Sequence, residues 1–259
     1  MKKYIFALSA IMATQAFATV TNDCDKLAAH PYNNDNPTGV EGVQFAKMNA
    51  TAAINACSKA VKENTNARYQ YQLGRAYDRA GQYTNAIEWY QKAIAKNYAN
   101  AQYNMALMYA LGKGVTRSDA KALEWNQKAA EQGFAPAETT LGWMYHDGHG
   151  VKQSYEEAIK WYKKAAEQGY PRAEYNLGSM YYNGQGVEQS YTEAAKWYQK
   201  AANQGSALAQ MSLADMYSDG QGVTKSTSKA VELYKKANAQ SDADTTEGQR
   251  QIRELLKAS

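Results

Sequence analysis

The chain has 259 residues, and its 29 Lys and Arg nearly balance its 25 Asp and Glu. Both signs are mixed along the predicted helices, so the chain has no basic stripe of the kind that phosphate backbones attract, and we expect no nucleic-acid partner. Tyrosine dominates the aromatic residues, with 21 Tyr and only 4 Phe, which suits shallow cores and binding surfaces because the hydroxyl can stay in water.

Residues 1–18 have the pattern of a secretory signal peptide. Lys2 and Lys3 precede a short apolar stretch, and Ala16 to Ala18 form an A-x-A cleavage site. The apolar stretch is too short to span a bilayer comfortably, so we favour a cleaved signal over a membrane anchor. We predict cleavage after Ala18 by Gram-negative-type export, and a periplasmic or secreted protein that is not integral to a membrane afterwards.

Residues 19–66 contain both cysteines, Cys24 and Cys57. In an exported protein an even cysteine count favours a disulfide, although a metal pair or a redox thiol is an alternative. Closing this loop would stabilise the fold by roughly 3–4 kcal/mol in the chain-entropy model. Residues 49–63 match the second helix of the repeat described next, so we expect an N-terminal cap in which the disulfide holds the preceding segment to this half-repeat helix.

Residues 101–240 carry four copies of one motif at a spacing of 36 residues. Each copy opens with an apolar helix face, such as Leu141, Met144 and Tyr145 at i, i+3 and i+4. A glycine pair such as Gly148 and Gly150 ends that helix, because glycine readily adopts the left-handed conformation, and a valine follows. A second amphipathic helix with the pattern A-x-x-W-Y-x-K-A-A completes a helical hairpin. An earlier copy at 67–100 lacks the glycine pair, and residues 241–259 carry apolar residues at helical spacing, which predicts a C-terminal capping helix.

The pattern A-x-x-x-L-G-x-x-Y-x-x-G-x-G-V, followed by A-x-x-W-Y-x-K-A-A-x-Q-G, resembles the Sel1-like repeat family, a branch of the tetratricopeptide superfamily. The copy at 67–100 is more similar to an ordinary tetratricopeptide repeat. The resemblance implies an all-α fold, a right-handed α-solenoid of antiparallel helix pairs whose first helices line the concave side. It also implies an adaptor or scaffold for protein complexes and not an enzyme.

Within that family the exposed positions of a first helix lie two and one residues before the motif leucine, and two and five residues after it. These are named below the −2, −1, +2 and +5 positions. The groove residues that they select are Tyr71, Arg75, Tyr103, Asn104, Leu107, Thr139, Trp143, His146, Tyr175, Asn176, Ser179, Tyr182 and Asp215. Asn104 and Asn176 match an asparagine that commonly holds the backbone of an extended peptide, a role that suits a side chain able to donate and accept.

The alternative for the aromatic groove residues is that they pack between neighbouring repeats. The tryptophans that repeat in the second helices are expected in the core: Trp89, Trp125, Trp161 and Trp197. His146 and His149 suggest a metal site, but the pattern occurs once and falls in the glycine turn, so we predict no metal and no cofactor.

We expect an exported, monomeric scaffold that binds a protein or peptide through this groove. The chain has no G-x-S-x-G, H-E-x-x-H or phosphate-loop motif, so we predict no catalytic residues. One alternative is a cell-wall or β-lactam-binding hydrolase-like protein, suggested by a cysteine-rich branch of the family whose cysteine pair per repeat this chain lacks. Another is a secreted effector that binds a host protein.

Overall fold

The computed structural model describes residues 23–31, 36, 40 and 42–240, and both the predicted signal peptide at 1–18 and the predicted capping helix at 241–259 lie outside them. All regular secondary structure in the described residues is helical, as predicted. The elements are α1 at 23–28, a 3-10 turn at Phe45–Lys47, α2 (Ala50–Glu63), α3 (Ala67–Arg79), α4 (Tyr83–Ile94), α5 (Ala99–Leu111), α6 (Asp119–Ala130), α7 (Ala135–Asp147), α8 (Tyr155–Glu167), α9 (Pro171–Asn183), α10 (Tyr191–Asn203), α11 (Ala207–Asp219) and α12 (Thr227–Gln240). None of the helices in this part of the chain combines the length and the apolarity that a bilayer crossing needs.

The helices form two compact units that divide between Ala129 and Ala130. In each unit consecutive helices pack as the antiparallel pairs of an α-solenoid, which confirms the predicted fold class. The first helices of the pairs are α3 and α5 in the N-terminal unit, and α7, α9 and α11 in the C-terminal unit.

The N-terminal unit begins with a cap built around the predicted disulfide. Cys24 and Cys57 are bonded at 2.05 Å, which confirms the pairing, and both are fully buried in a cluster with Ala28, Met48 and Leu73. Asn49 and Asn66 start α2 and α3, since their side chains accept hydrogen bonds from backbone N–H groups of the first turn. Within the cap the disulfide therefore holds α1 against α2, and both make apolar contacts with α3.

In the C-terminal unit a close contact between small and aromatic residues holds each of the first two pairs together. A Cβ atom on Gly142 would lie 2.5 Å from the Tyr162 ring, and one on Gly178 would lie 2.7 Å from the Tyr198 ring. At these two positions a side chain would displace the tyrosine ring as it is now placed, whereas the last pair packs Ala214 in one cluster with Tyr234. Gly142 and Gly178 therefore allow two helices to approach each other closely, and they do not end a helix.

The glycine pair ends each long first helix in the predicted way. Gly148 and Gly184 adopt the left-handed conformation, with φ of 77° and 68°, and their N–H groups return to carbonyls of the last turn. Val187, which follows the turn, then packs against the cluster formed by α9 and by α8 of the preceding pair. The turn therefore has a fixed backbone path away from the end of the first helix.

The repeated tryptophans lie at the edge of the core and not inside it. Trp89, Trp125, Trp161 and Trp197 are half-buried, and the ammonium group of the lysine three residues further on lies 3.8–4.3 Å from each ring centroid. The prediction of a core role is thus only partly right. A half-buried indole beneath a lysine gains cation–π attraction and keeps the hydrocarbon stem of that lysine in contact with apolar surface.

Candidate functional site

Three recesses lie along the first helices within the described residues, each inside a single unit. Recess 1 lies between α3 and α5 and has a volume of about 340 Å³. Recess 2 lies between α7 and α9 and has a volume of about 350 Å³. Recess 3, of about 160 Å³, lies between α9 and α11. Successive first helices therefore leave open clefts at the motif positions that the sequence selected.

Recess 1 has an apolar wall and a charged wall. The apolar wall is formed by Phe45, Tyr103, Leu107, Met108 and Leu111, and Leu111 is 62% exposed. On the charged wall Lys113 Nζ lies 3.6 Å from Asp78 Oδ1. Burial raises the pKa of Asp78, and the Lys113 ammonium opposes that shift.

The cap contributes His30 to recess 1, and Arg75 of α3 fixes the cap segment beside it. The Arg75 guanidinium is buried and donates to the carbonyl oxygens of Ala28, Ala29 and Val43. Burial, together with the Arg75 charge, lowers the pKa of His30 to about 3, so this imidazole is neutral at physiological pH. Arg75 is therefore a structural anchor that is enclosed by the chain.

Recess 2 is polar and contains an exposed indole. Trp143 is 43% exposed, and its ring stacks on His149 with a centroid distance of 4.4 Å. His146 contacts Asp147 through Nδ1, and its Nε2 lies 3.2 Å from Gln185 Oε1. The remaining lining residues are Tyr162, Asn176, Ser179, Met180 and Asn183.

Recess 3 is formed by Tyr182, Tyr198, Ser212 and Asp215. Ser179 Oγ lies 3.0 Å from the Tyr198 hydroxyl, and burial raises the pKa of Tyr198 to about 12. This phenol therefore stays protonated at physiological pH and can donate a hydrogen bond.

In three of the four glycine turns the middle residue reaches back to the preceding first helix, a contact that the sequence reasoning missed, whereas the fourth, His149, stacks on Trp143 of its own helix. Lys113 meets Asp78, Gln185 meets His146, and Gln221 accepts a 2.9 Å hydrogen bond from the Tyr182 hydroxyl. In every pair the first-helix partner occupies the +5 position. The sequence did contain a sign of these contacts: the residue between the two glycines differs from one repeat to another, whereas the glycines are the same in all four.

The structure separates the predicted groove residues into buried, half-buried and exposed groups. Tyr71, Arg75, Asn104 and Thr139 are buried; Tyr103, Leu107, His146, Tyr175, Asn176, Ser179 and Tyr182 are half-buried, and Trp143 and Asp215 are exposed. Each of these residues lines one of the three recesses, except Tyr71, Thr139 and Tyr175.

The predicted exposure of the −2 and +2 positions is wrong at several sites. Tyr71 is enclosed because its ring lies 6.0 Å from that of Tyr90 and 5.4 Å from that of Tyr98. Thr139 Oγ1 donates to the Ala135 carbonyl of its own helix. Tyr175 packs 5.5 Å from Tyr198. These contacts lie within single repeats, and those of Arg75 are made with the cap, so they do not show the packing between neighbouring repeats that the sequence left open as an alternative.

The asparagines of the −1 position are engaged within the chain. Asn104 Nδ2 donates to the Tyr90 hydroxyl over 2.9 Å, and Asn176 bonds the hydroxyl of Tyr162, whose pKa burial raises. Both asparagines still line a recess. Among the described residues, no group of three or more His, Cys, Asp or Glu side chains is placed to hold a metal ion.

Comparisons with known proteins identify the repeats. Residues 99–134, 135–170, 171–206 and 207–242 match the model described as Sel1 repeat, and residues 67–100 match that described as Tetratricopeptide repeat. No curated protein matches the chain.

Similar solved structures include a protective antigen of uropathogenic Escherichia coli strains that displays an SLR fold. It is 33% identical, with a TM-score of 0.71, over 82% of this chain and 46% of that one. A Sel1 repeat protein from Oxalobacter formigenes is 33% identical, with a TM-score of 0.69, over 83% of this chain and 62% of that one. The chain therefore spans less than two thirds of either protein. The immunity protein Pa5087 from Pseudomonas aeruginosa, 23% identical over 87% of this chain and 82% of its own with a TM-score of 0.56, shows the fold alone.

Proposed function

Because the chain belongs to the Sel1 repeat family, whose members are typically non-enzymatic scaffolds, we propose that it binds a protein or peptide along its first helices. The observation that supports the proposal is the set of recesses, which occupy equivalent motif positions within each unit. Their linings combine exposed apolar groups with polar groups held by neighbours, the composition expected of protein-binding surfaces.

The residues that can contact a partner are fewer than the sequence indicates. Leu107 and Leu111 supply apolar area in recess 1, whereas Trp143 supplies it in recess 2. Large apolar and aromatic side chains bind partners well when they are already ordered, because little rotamer entropy is lost on binding. The buried Arg75 and Tyr71 contribute by shaping the surface and not by touching the partner.

Partner capture with matched variants tests the proposal. The purified protein, carrying Leu107→Ser with Leu111→Ser, or Trp143→Ala, is crosslinked in periplasmic and culture-medium fractions, and captured proteins are identified by mass spectrometry. The control is Leu208→Ser, which removes a leucine that is 60% exposed and lines none of the three recesses. We expect the recess variants to lose the partner that wild type and control retain; equal capture by all four folded proteins would show that the partner binds elsewhere.

We further propose that the protein is exported and acts as a monomer outside the cytoplasm. The Cys24–Cys57 disulfide supports the export part of this proposal, because such bonds form and persist in oxidising compartments. N-terminal sequencing of the natural protein should begin at Thr19, and fractionation should place it in the periplasm or the medium. An intact N-terminus on protein from the cytoplasmic fraction would refute the export proposal.

A further inference from the structure

Recess 2 is the place where one repeat departs from the others while the fold stays the same. The repeat at 135–170 carries Trp143, His146 and His149 at its +2, +5 and turn positions, where the next repeat carries Ser179, Tyr182 and Gln185. In a repeat array the shared residues maintain the stacking of neighbours. Residues that differ without changing the helices are therefore free to serve binding.

The Trp143 indole is an exposed surface that is already ordered. Its ring is stacked on His149, with an angle of 25° between the planes, while 43% of the residue remains exposed. The stacking fixes the indole in one orientation before any ligand arrives. A flat ligand face that packs on it would therefore cost little side-chain entropy.

Polar groups line recess 2 beside the indole, and His146 among them is held by its neighbours. Gln153 Nε2 donates to the His146 carbonyl over 2.7 Å, and the His146 ring is held between Asp147 and Gln185. Asn176 and Asn183 add carboxamides, which both donate and accept. Among the residues that line recess 2, one carboxylate and no lysine or arginine is present, so an anionic ligand would find no counter-charge.

We propose that recess 2 binds an uncharged pyranose of a β-linked glycan whose hydroxyl or N-acetyl groups are equatorial. Such a ring has a flat face of axial C–H groups that can pack on an indole. The hydroxyl groups at its edge donate and accept hydrogen bonds, so they can pair with the carboxamides that line the recess. The volume of about 350 Å³ lies within the range of about 300–1,000 Å³ that is usual for small-molecule sites. This saccharide site is a binding activity in addition to the protein-binding role proposed above.

Saccharide titration of the purified full-length mature protein tests the inference. The probes are chitotetraose and cellotetraose, with a β1,4-linked galactotetraose as the probe whose axial hydroxyl interrupts the flat face. Saturation-transfer NMR should show the strongest transfer to the axial C–H protons, and calorimetry should rank the galactose probe weakest. Trp143→Ala should weaken binding at least about tenfold, Trp143→Phe less, and Asn183→Ala several-fold.

The control for folding and for non-specific effects is Leu208→Ala, in the same unit, which should bind like wild type. The inference is overturned if neither glucose-type probe binds the folded wild type at millimolar concentration, or if Trp143→Ala binds as well as Leu208→Ala. A protein partner that is lost with Trp143→Ala, without binding of any saccharide, would also overturn it and would leave the protein-binding proposal standing.

Discussion

The +2 position has opposite environments in the two units. In the N-terminal unit Arg75 is 2% exposed and holds three carbonyl groups of the cap segment. In the C-terminal unit Trp143 occupies the same motif position and is 43% exposed at the edge of recess 2. A motif position therefore fixes where a side chain leaves its helix, and the neighbouring segment decides whether that side chain is buried.

The two units also differ in what stabilises them. The cap relies on a disulfide and on buried polar contacts, such as Gln72 Nε2 to Asp25 Oδ1 at 2.9 Å and Arg68 Nε to Asp25 at 3.1 Å. Contacts between a small residue and a tyrosine ring occur in both units, as Gly74 against Tyr90 and Gly142 against Tyr162 show, so it is the disulfide and the buried Asp25 contacts that set the N-terminal unit apart. A substitution in one unit should therefore lower the stability of that unit more than that of the other.

The largest effect is expected from removing the disulfide. Cys24→Ser with Cys57→Ser should lower the free energy of unfolding by about 3–4 kcal/mol, because the unfolded chain regains the entropy that the crosslink removes. Hydrogen exchange should accelerate in α2 and α3 and stay unchanged in α8 to α11. Equal acceleration in both units would show that they unfold as one cooperative unit and that the disulfide stabilises both.

The second effect contrasts the two +2 residues directly. Arg75→Ala should cost about 2–4 kcal/mol in urea unfolding, because buried carbonyls of the cap lose their donors. Trp143→Ala should cost less than about 1 kcal/mol, since the indole is largely outside the core. If the two variants lost similar amounts of unfolding free energy, the motif position, and not the neighbouring segment, would determine how much each residue contributes to stability.

The third effect concerns the contact between glycine and tyrosine. Gly142→Ala should cost about 1–3 kcal/mol, because the new methyl group would overlap the Tyr162 ring. The first Sel1 copy carries Ala106 and Asn126 at the equivalent positions. In a double-mutant cycle we therefore expect Gly142→Ala and Tyr162→Asn to cost less together than the sum of their separate costs; strict additivity would refute the proposed steric cause.

The smallest effect is a pH dependence in the C-terminal unit. Glu138 and Glu174 accept hydrogen bonds from Gln168 and Gln204, and burial raises the pKa of both carboxyl groups. A raised folded-state pKa makes stability fall as pH rises from the ordinary carboxyl pKa through the folded value. The equivalent residues of the other two Sel1 copies are already glutamines, Gln102 and Gln210.

Glu138→Gln with Glu174→Gln should therefore flatten the decline in urea midpoint as the pH rises above about 4, with a change of less than about 1 kcal/mol at neutral pH. Glu88→Gln is the control, because that carboxylate is exposed and pairs with Lys92 on the surface. A steeper pH dependence in the double variant would contradict the direction of the pKa shifts.

Much of the fold could be predicted from the sequence because its signals are local and periodic. The spacing of 36 residues, the apolar helix faces and the glycine turns each lie within one hairpin. The environment of Arg75 could not be predicted in this way, because it depends on a cap segment that has no counterpart in the repeat. The contacts of Lys113, Gln185 and Gln221 were missed for a related reason, since they join one repeat to the one before it.

The contacts of the glycine turns have a consequence for how the length of this protein can evolve. Gln185 and Gln221 are the same residue type at the same place in successive turns. If unequal recombination deleted the 36 residues at 171–206, the turn that carries Gln221 would follow the repeat at 135–170, and a glutamine would again meet His146. The array can therefore lose one whole repeat, or gain one by duplication, and His146 would still face a glutamine.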